Sequence, residues 1–302
     1  MWYLLLFLLG CAVGSFLNVV AFRFKEGQFL FGRRVIGGRS ACRHCKRILA
    51  WYELIPLLSF VIQLGKCRAC GSRISIQYPI VEFLAGSLVT LVAFYFFDFK
   101  RLTYVNYLLS GESFVLWIAV IIWSLIFLTL LLLSVIDYRE YLIPDEILYF
   151  LAFLGIVWVS FLVASGMSDN FYGSFVGSYA AIFDIGFGID SNTFFNHFLG
   201  ALAGSLVIGA IFFLSRGKAI GFGDVILLGV LGFIFGWPDV ALILVISFLI
   251  GAAAGLILIA RREKGMKDFV PFAPFIALSS LVVFFYGADV LRWYFIVFNP
   301  FA

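Results

Sequence analysis

Two aspartates and four cysteines carry the reactive chemistry of an otherwise greasy 302-residue chain. Asp137 ends the apolar run 114–136 within DYREYLIPDE, and Asp224 follows the glycine-flanked bend of AIGFGDVILLG. An ionised carboxylate in hydrocarbon costs roughly 2.5 to above 10 kcal/mol, so each acid needs a reason to be there. Asp137 falls at the C-terminal end of its predicted helix, where the macrodipole is negative, and a capping role does not account for it. Asp145 does have such an account, because it follows Pro144 and precedes an apolar run as an N-cap does. For Asp224 two readings stand: an N-cap of a helix beginning at Val225, or an acid facing a wet internal pocket. Length favours the pocket. The run 225–235 rises only about 17 Å, well short of the roughly 30 Å of hydrocarbon, so the helix must begin below the membrane surface, where irregular backbone survives only beside protein or water. Two such carboxylates brought together share a proton. One then acts as base toward water while the other donates to a scissile carbonyl, and the pair titrates as a unit. No Ser-His-Asp set competes, since His197 is expected on the outer side and His44 lies among the cysteines.

The cysteines form CRHC (Cys42, Cys45) and CRAC (Cys67, Cys70), with 21 residues between the pairs. That is close to the spacing of zinc ribbons, in which two tight knuckles supply four thiolates to one tetrahedral ion. Two redox pairs or unrelated buried thiols are the alternatives, and a reducing compartment disfavours structural disulfides. His44 sits inside the first knuckle, where a supporting or surface role suits it better than ligation. A four-thiolate ion is structural, because no coordination position stays open for substrate. Cys11, alone in an apolar run, reads as packing.

The elements that must position these groups are membrane helices. The chain is 64% hydrophobic and 13% charged with 38 phenylalanines, and its mean hydropathy is +1.10, far above the apolar share of a soluble domain. Uncharged or nearly uncharged runs cover 2–22, 80–97 (with Glu82), 114–136, 147–164, 195–214, 240–260 and 271–298, and the short run 225–235 makes eight. The fold class is therefore an all-α polytopic membrane protein of about eight transmembrane helices, with a small cytoplasmic zinc-ribbon-like domain between the first and second. The first run lacks a basic cluster and a cleavage site and is expected to be retained. Alternating the loops puts 18 of the 21 Lys and Arg on one side. The positive-inside rule makes that side cytoplasmic and both termini outer. Topology, with some attraction to anionic membrane lipids, accounts for the net charge of +4, which gives no sign of nucleic-acid binding. The expected division is 1–22 first helix, 23–79 cytoplasmic zinc-binding domain and 80–302 membrane domain, with a long outer loop 165–193. Glu82, at the mouth of a span, is expected to reach water.

The chain resembles the type IV prepilin peptidases, bifunctional leader peptidases and N-methyltransferases among the GxGD intramembrane aspartic proteases. GSFLNVVAFR, RSACRHC, WYELIPLLS, GKCRACGSRIS, YPIVE, DYREYLIPD, GFGDV and PFAPFIALS occur in that order across nearly the whole length. GFGD alone is a weak pattern; the ordered set is highly specific. The resemblance implies Asp137 and Asp224 as the catalytic dyad, Cys42, Cys45, Cys67 and Cys70 as zinc ligands, and eight spans in a bacterial inner membrane. It further implies prepilin or pseudopilin substrates cleaved at the membrane boundary, typically after glycine, and methylation of the new amino terminus from S-adenosylmethionine. The family's frequent Lys two positions after the second aspartate is Ile226 here, AFR is not followed by proline, and CRHC replaces a proline-containing knuckle. These departures touch binding or packing and leave the dyad intact. No glycine-rich nucleotide fingerprint marks a methyl-donor site. A proton-coupled transporter using intramembrane acids is the alternative function. The sequence leaves the pilin clients, the purpose of the outer loop and the oligomeric state open.

Overall fold

A computed structural model describes residues 2–99, 113–165, 193–218, 220–262, 265 and 270–298. The described residues form helices and turns, with two isolated bridges between extended segments. The chain divides into two compact units, Met1–Leu142 and Ile143–Ala302.

In the first unit, α1 (Trp2–Arg23) leads into short α2 (Arg33–Ile36) and α3 (Leu58–Ile62), followed by α4 (Gln77–Phe94) and α5 (Ser113–Glu140). Small residues let α1 and α4 approach closely. A Cβ on Gly10 would lie 2.7 Å from the Ala85 carbonyl oxygen, and one on Gly86 would lie 2.6 Å from Cys11 Sγ. Helices in lipid associate through such close backbone contact, because lipid tails are as apolar as Leu. Cys11 is thus a packing residue. Leu128 of α5 joins Ala85 and Val89 in the apolar seam.

The second unit contains α6 (Asp145–Ser165), α7 (Thr193–Ser215), α8 (Phe222–Phe235), α9 (Asp239–Ala260) and α10 (Ala273–Phe298). Helices α7 and α8 meet through glycine. A Cβ on Gly232 would be 2.1 Å from the Gly200 carbonyl oxygen, and one on Gly204 would be 2.3 Å from that of Leu228. The first residues of α7 also hold the far end of α8: the Asn196 carboxamide oxygen accepts the Trp237 N–H at 2.9 Å, and His197 Nδ1 meets the Phe233 carbonyl oxygen at 2.6 Å. The last carbonyls of a helix have no partner within it, so this contact satisfies one of them.

Among the described residues, six helices are long and apolar enough to cross a membrane: Trp2–Arg23, Gln77–Asp98, Ser113–Glu140, Asp145–Ser165, Thr193–Ser215 and Asp239–Ala260. Two more apolar helices, Phe222–Phe235 and Ala273–Gly287, are shorter. Most boundaries lie within a few residues of the sequence expectation, and the differences fall at the acids. Helix α5 runs on to Glu140, so Asp137 lies inside its last turn. Helix α6 opens at Asp145, with Ile147 N–H bonding back to the Pro144 carbonyl, so Asp145 is its first residue and not its cap. Helix α8 begins at Phe222, not Val225, because Gly221 is extended and takes the cap position. Nearly all of the outer loop 165–193, with Asp169, Asp184 and Asp190, and the basic residues Lys100, Arg101, Lys264 and Lys267 lie outside the described residues.

Candidate active-site aspartates and metal centre

Asp224 is the third residue of α8, and its Oδ2 accepts the Gly221 N–H at 3.2 Å. The carboxylate reaches back over the helix's first turn, where unpartnered N–H groups and the positive end of the dipole favour an anion. It is nevertheless 8% exposed. The two glycines of GFGD have distinct reasons. A Cβ on Gly221 would stand 3.3 Å from Asp224 Oδ2, crowding the acid itself, and one on Gly223 would stand 3.0 Å from Ile143 Cβ. The segment leading into α6 therefore lies against the helix start that carries Asp224.

Asp137, in the other unit, is 6% exposed. Its carbonyl accepts the Tyr141 N–H at 2.9 Å, and Tyr141 turns the chain with φ of 52°. This left-handed residue ends α5 in the position where glycine is common. Arg139 ties the same turn to α1, donating to the Ala21 carbonyl at 2.8 Å and stacking over Phe22 at 4.2 Å. Phe22 in turn stacks on Tyr78 of α4 at 4.7 Å between ring centroids. The turn after Asp137 is thereby fixed to both other long helices of its unit.

Cys42, Cys45, Cys67 and Cys70 come together with all four sulfurs within 4.8 Å of one another. The two knuckles repeat each other bond for bond. Cys42 N–H donates to the Arg47 carbonyl at 2.9 Å and Lys46 N–H to that of Cys42 at 3.0 Å; Cys67 N–H donates to Ser72 at 2.9 Å and Gly71 N–H to Cys67 at 2.8 Å. The bridges Ala41 to Ile48 and Lys66 to Arg73 close them. Lys46 and Gly71 occupy the same left-handed position, with φ of 60° and 68°. A hydrogen bond from the Cys45 backbone is the largest influence holding the Cys42 thiol below its ordinary range. The Ser72 hydroxyl, then its backbone, holds Cys70 down to about 6. The Arg47 backbone favours the Cys45 thiolate, but lost hydration and the thiols of Cys42, Cys70 and Cys67 outweigh it and push Cys45 up to about 11. Four thiolates at this spacing repel one another, and a bound cation would relieve the repulsion. His44 does not join the four cysteines in the cluster.

Two acids that sequence reasoning left without a structural role have one. Glu53 is buried, pairing with Arg47 at 2.5 Å and accepting the Ala50 N–H at 2.9 Å. Glu82 does not reach out to water. It is 6% exposed and accepts the Leu57 N–H at 2.8 Å, where Leu57 has a left-handed φ of 61°. The buried carboxylate holds the turn of the WYELIPLLS segment against α4, a long-range contact that no spacing rule reveals.

Residues 8–96 match the Bacterial Peptidase A24 N-terminal domain, and residues 124–256 match the Type IV leader peptidase family. A prepilin leader peptidase/N-methyltransferase of Bacillus subtilis is 30% identical over 290 residues, covering 96% of both chains. The protein of the same name from Pseudomonas putida is 31% identical, covering 93% of this chain and 90% of its own. That from Aeromonas hydrophila is 28% identical, covering 97% and 94%. No solved structure matches. With a relative of this identity aligned end to end and both halves recognised in order, the chain belongs to the type IV leader peptidase family.

Proposed function

We propose that this protein is a membrane-embedded aspartic endopeptidase of the bacterial cytoplasmic membrane. It removes the leader from prepilins or pseudopilins through Asp137 and Asp224, and then methylates the new amino terminus from S-adenosylmethionine. The observation that carries the reading is Asp224, a buried acid in the first turn of a glycine-bounded helix too short to span the bilayer comfortably. Family membership and the shared name of relatives matching over nearly their full length support cleavage and methylation, and nothing in them supports a proton-coupled transporter.

Pairing of the aspartates is the chemical step of this reading, and the burial of each acid at a helix end, Asp137 in the last turn of α5 and Asp224 in the first turn of α8, supports it. The pair holds one proton, orients a water against the scissile carbonyl, takes the water's proton with its charged member and donates the other proton to the carbonyl oxygen. As the tetrahedral centre collapses, the proton taken from water passes to the leaving amine and a hydroxyl of the gem-diol returns a proton to the ionised aspartate, so the pair again holds one.

For the cysteine cluster we assign zinc in a structural role. A tetrahedron with Zn–S bonds of about 2.3 Å has sulfur–sulfur edges of about 3.8 Å, and Cys42 Sγ lies 3.8 Å from Cys70 Sγ. The domain reading remains 1–22, 23–79 and 80–302. The six long helices together with α8 and α10 give eight spans, with both termini outside and the aspartates near the cytoplasmic face.

The test is cleavage of a synthetic prepilin by purified protein in lipid. Asp137→Asn and Asp224→Asn should each lower leader removal by several orders of magnitude with the helical content unchanged. Normal cleavage by either variant would remove that residue from the mechanism. Mass spectrometry of the processed amino terminus, with and without S-adenosylmethionine, reads the methylation.

A further inference from the structure

The polar segment between α1 and α4 contains a stretch that is not polar. From Leu54 to Leu64 the chain has no charged residue. Around it Trp51, Ile55, Leu58, Val61, Ile62 and Leu64 all turn their side chains outward, with Trp51 78% and Leu64 83% exposed. Large apolar side chains gathered in so short a stretch mark a surface that meets something apolar.

The depth of the stretch points to what it meets. The Leu57 N–H bonds to the Glu82 carboxylate at 2.8 Å, and Glu82 stands five residues into the span that begins at Gln77, about 7.5 Å along its axis. That span has 22 residues and rises about 33 Å, against roughly 30 Å of hydrocarbon. Glu82 and the segment tied to it therefore lie on the order of 5 Å below the hydrocarbon boundary. Tyr78 and Arg139, joined through the Phe22 ring one turn nearer the helix end, are of the types that mark the interface itself. The backbone of the stretch also meets the requirement of an apolar medium, in which polar groups need partners within the protein. The N–H groups of Ser59, Val61, Gln63, Leu64 and Gly65 bond carbonyls of residues 55–61, and that of Leu57 has the Glu82 carboxylate.

We propose that residues 54–64 lie in the near leaflet of the bilayer as an interfacial segment, with Leu58, Val61, Ile62 and Leu64 among the upper acyl chains. Interfacial helices bury their apolar face about 5–10 Å into the headgroup and acyl boundary, which matches the depth that Glu82 sets. Lys66 follows the stretch directly and the Arg68 guanidinium lies 5.2 Å from the Tyr52 ring centroid, so cations stand at its edge to meet lipid phosphates. The cysteine knuckles, which flank the segment in sequence, are thereby tethered to the membrane surface by more than the two helices that bracket them. The inference rests on α1 and α4 crossing the membrane and holds whatever the protein cleaves or methylates.

The test is photolabelling of the full chain in phosphatidylethanolamine–phosphatidylglycerol vesicles containing a trace of phosphatidylcholine with a diazirine in the upper half of one acyl chain. Peptide mapping should find label in residues 54–64 at the level of α1 and α4, and well above that in the knuckle residues 67–73. Label in 54–64 no higher than in 67–73, with both spans labelled, overturns the proposal. A chain carrying Val61→Asp and Leu64→Asp should lose label in that peptide severalfold, because a carboxylate resists the acyl region, while zinc content and labelling of the spans persist. Unchanged label in this variant overturns insertion through these side chains; if the variant does not fold, the wild-type map is the test. Cross-links from 54–64 to a photoprobe in the apolar helix of a prepilin, or to a second copy of the chain, with no lipid label, overturn the proposal in favour of a protein partner.

Discussion

Single atoms decide how Asp224 is held. The acid's position depends on Gly223, where a methyl group would press on Ile143 Cβ at 3.0 Å. A branched Cβ is not a flexible tip, so either the helix start or the segment before α6 must move by a few tenths of an ångström. Positioning errors at reacting groups are expensive, with a 1 Å displacement worth about 100-fold in rate. Gly223→Ala should therefore lower kcat for leader removal by roughly 10- to 100-fold while leaving thermal unfolding nearly unchanged. Gly255→Ala on α9 is the control, because its Cβ would meet nothing within 4 Å. It should keep full activity and gain up to about 1 kcal/mol from better helix propensity. Equal kinetics for the two variants would dissociate the GFGD glycines from Asp224's placement. The sequence makes this acid visible, since a carboxylate in apolar surroundings is costly wherever it sits. The difference between Gly221 and Gly223 was not legible, because one faces a side chain three residues on and the other a residue eighty positions away.

At the scale of elements, the short helix α8 depends on α7. The carbonyl of Gly200 lies where a Cβ on Gly232 would be at 2.1 Å, a contact with rigid backbone. Gly232→Ala should force the helices apart and cost at least the 1–3 kcal/mol typical of overpacking, seen as a lower Tm together with lost cleavage. An unchanged Tm would mean that the two helices slide past one another freely. Hydropathy located the six long helices found among the described residues, because lipid imposes both length and composition on a span. Helix ends were less legible. Tyr138, Arg139 and Glu140 are polar enough to look like loop, yet Arg139 finds the Ala21 carbonyl and the Phe22 ring and keeps α5 wound past Asp137. The cysteine cluster was readable from spacing, whereas the bonds of Glu82 to Leu57 and of His197 to Phe233 were not. Each joins groups whose separation along the chain carries no periodic signal. The knuckles also predict their own pH response. The Cys70 thiol is held down to about 6, so its thiolate is present above that pH and takes up a proton as pH falls through it. Metal requires thiolate. The protein should carry one zinc per chain at neutral pH, lose it on acidification as protons compete with the metal for the thiolates, and never acquire it when Cys67 and Cys70 are both serine. Metal analysis across pH checks all three.

For the whole molecule, the count of spans determines where charge falls. Counting only the six long helices places the start of α9 inside and its end outside, so Arg261, Arg262, Lys264 and Lys267 would face outward. Such a run of basic residues beside a span is what the positive-inside rule disfavours. If α8 also crosses, α9 runs inward, the same four residues become cytoplasmic, and α10 must cross to return the C-terminus to the outside. Helix α8 has 14 residues and rises about 21 Å, short of the roughly 30 Å hydrocarbon layer. It can cross only if its first turn, with Asp224, sits below the cytoplasmic surface in a hydrated or protein-lined recess. The span count and the buried acid are thus one question. A cysteine placed at Arg261 should resist a membrane-impermeant thiol reagent in intact cells and react once the membrane is opened. One placed beyond the end of α10 should react from outside. Labelling of position 261 in intact cells would reduce the protein to six spans and take away the physical reason for a short helix that begins inside the membrane with an acid in its first turn.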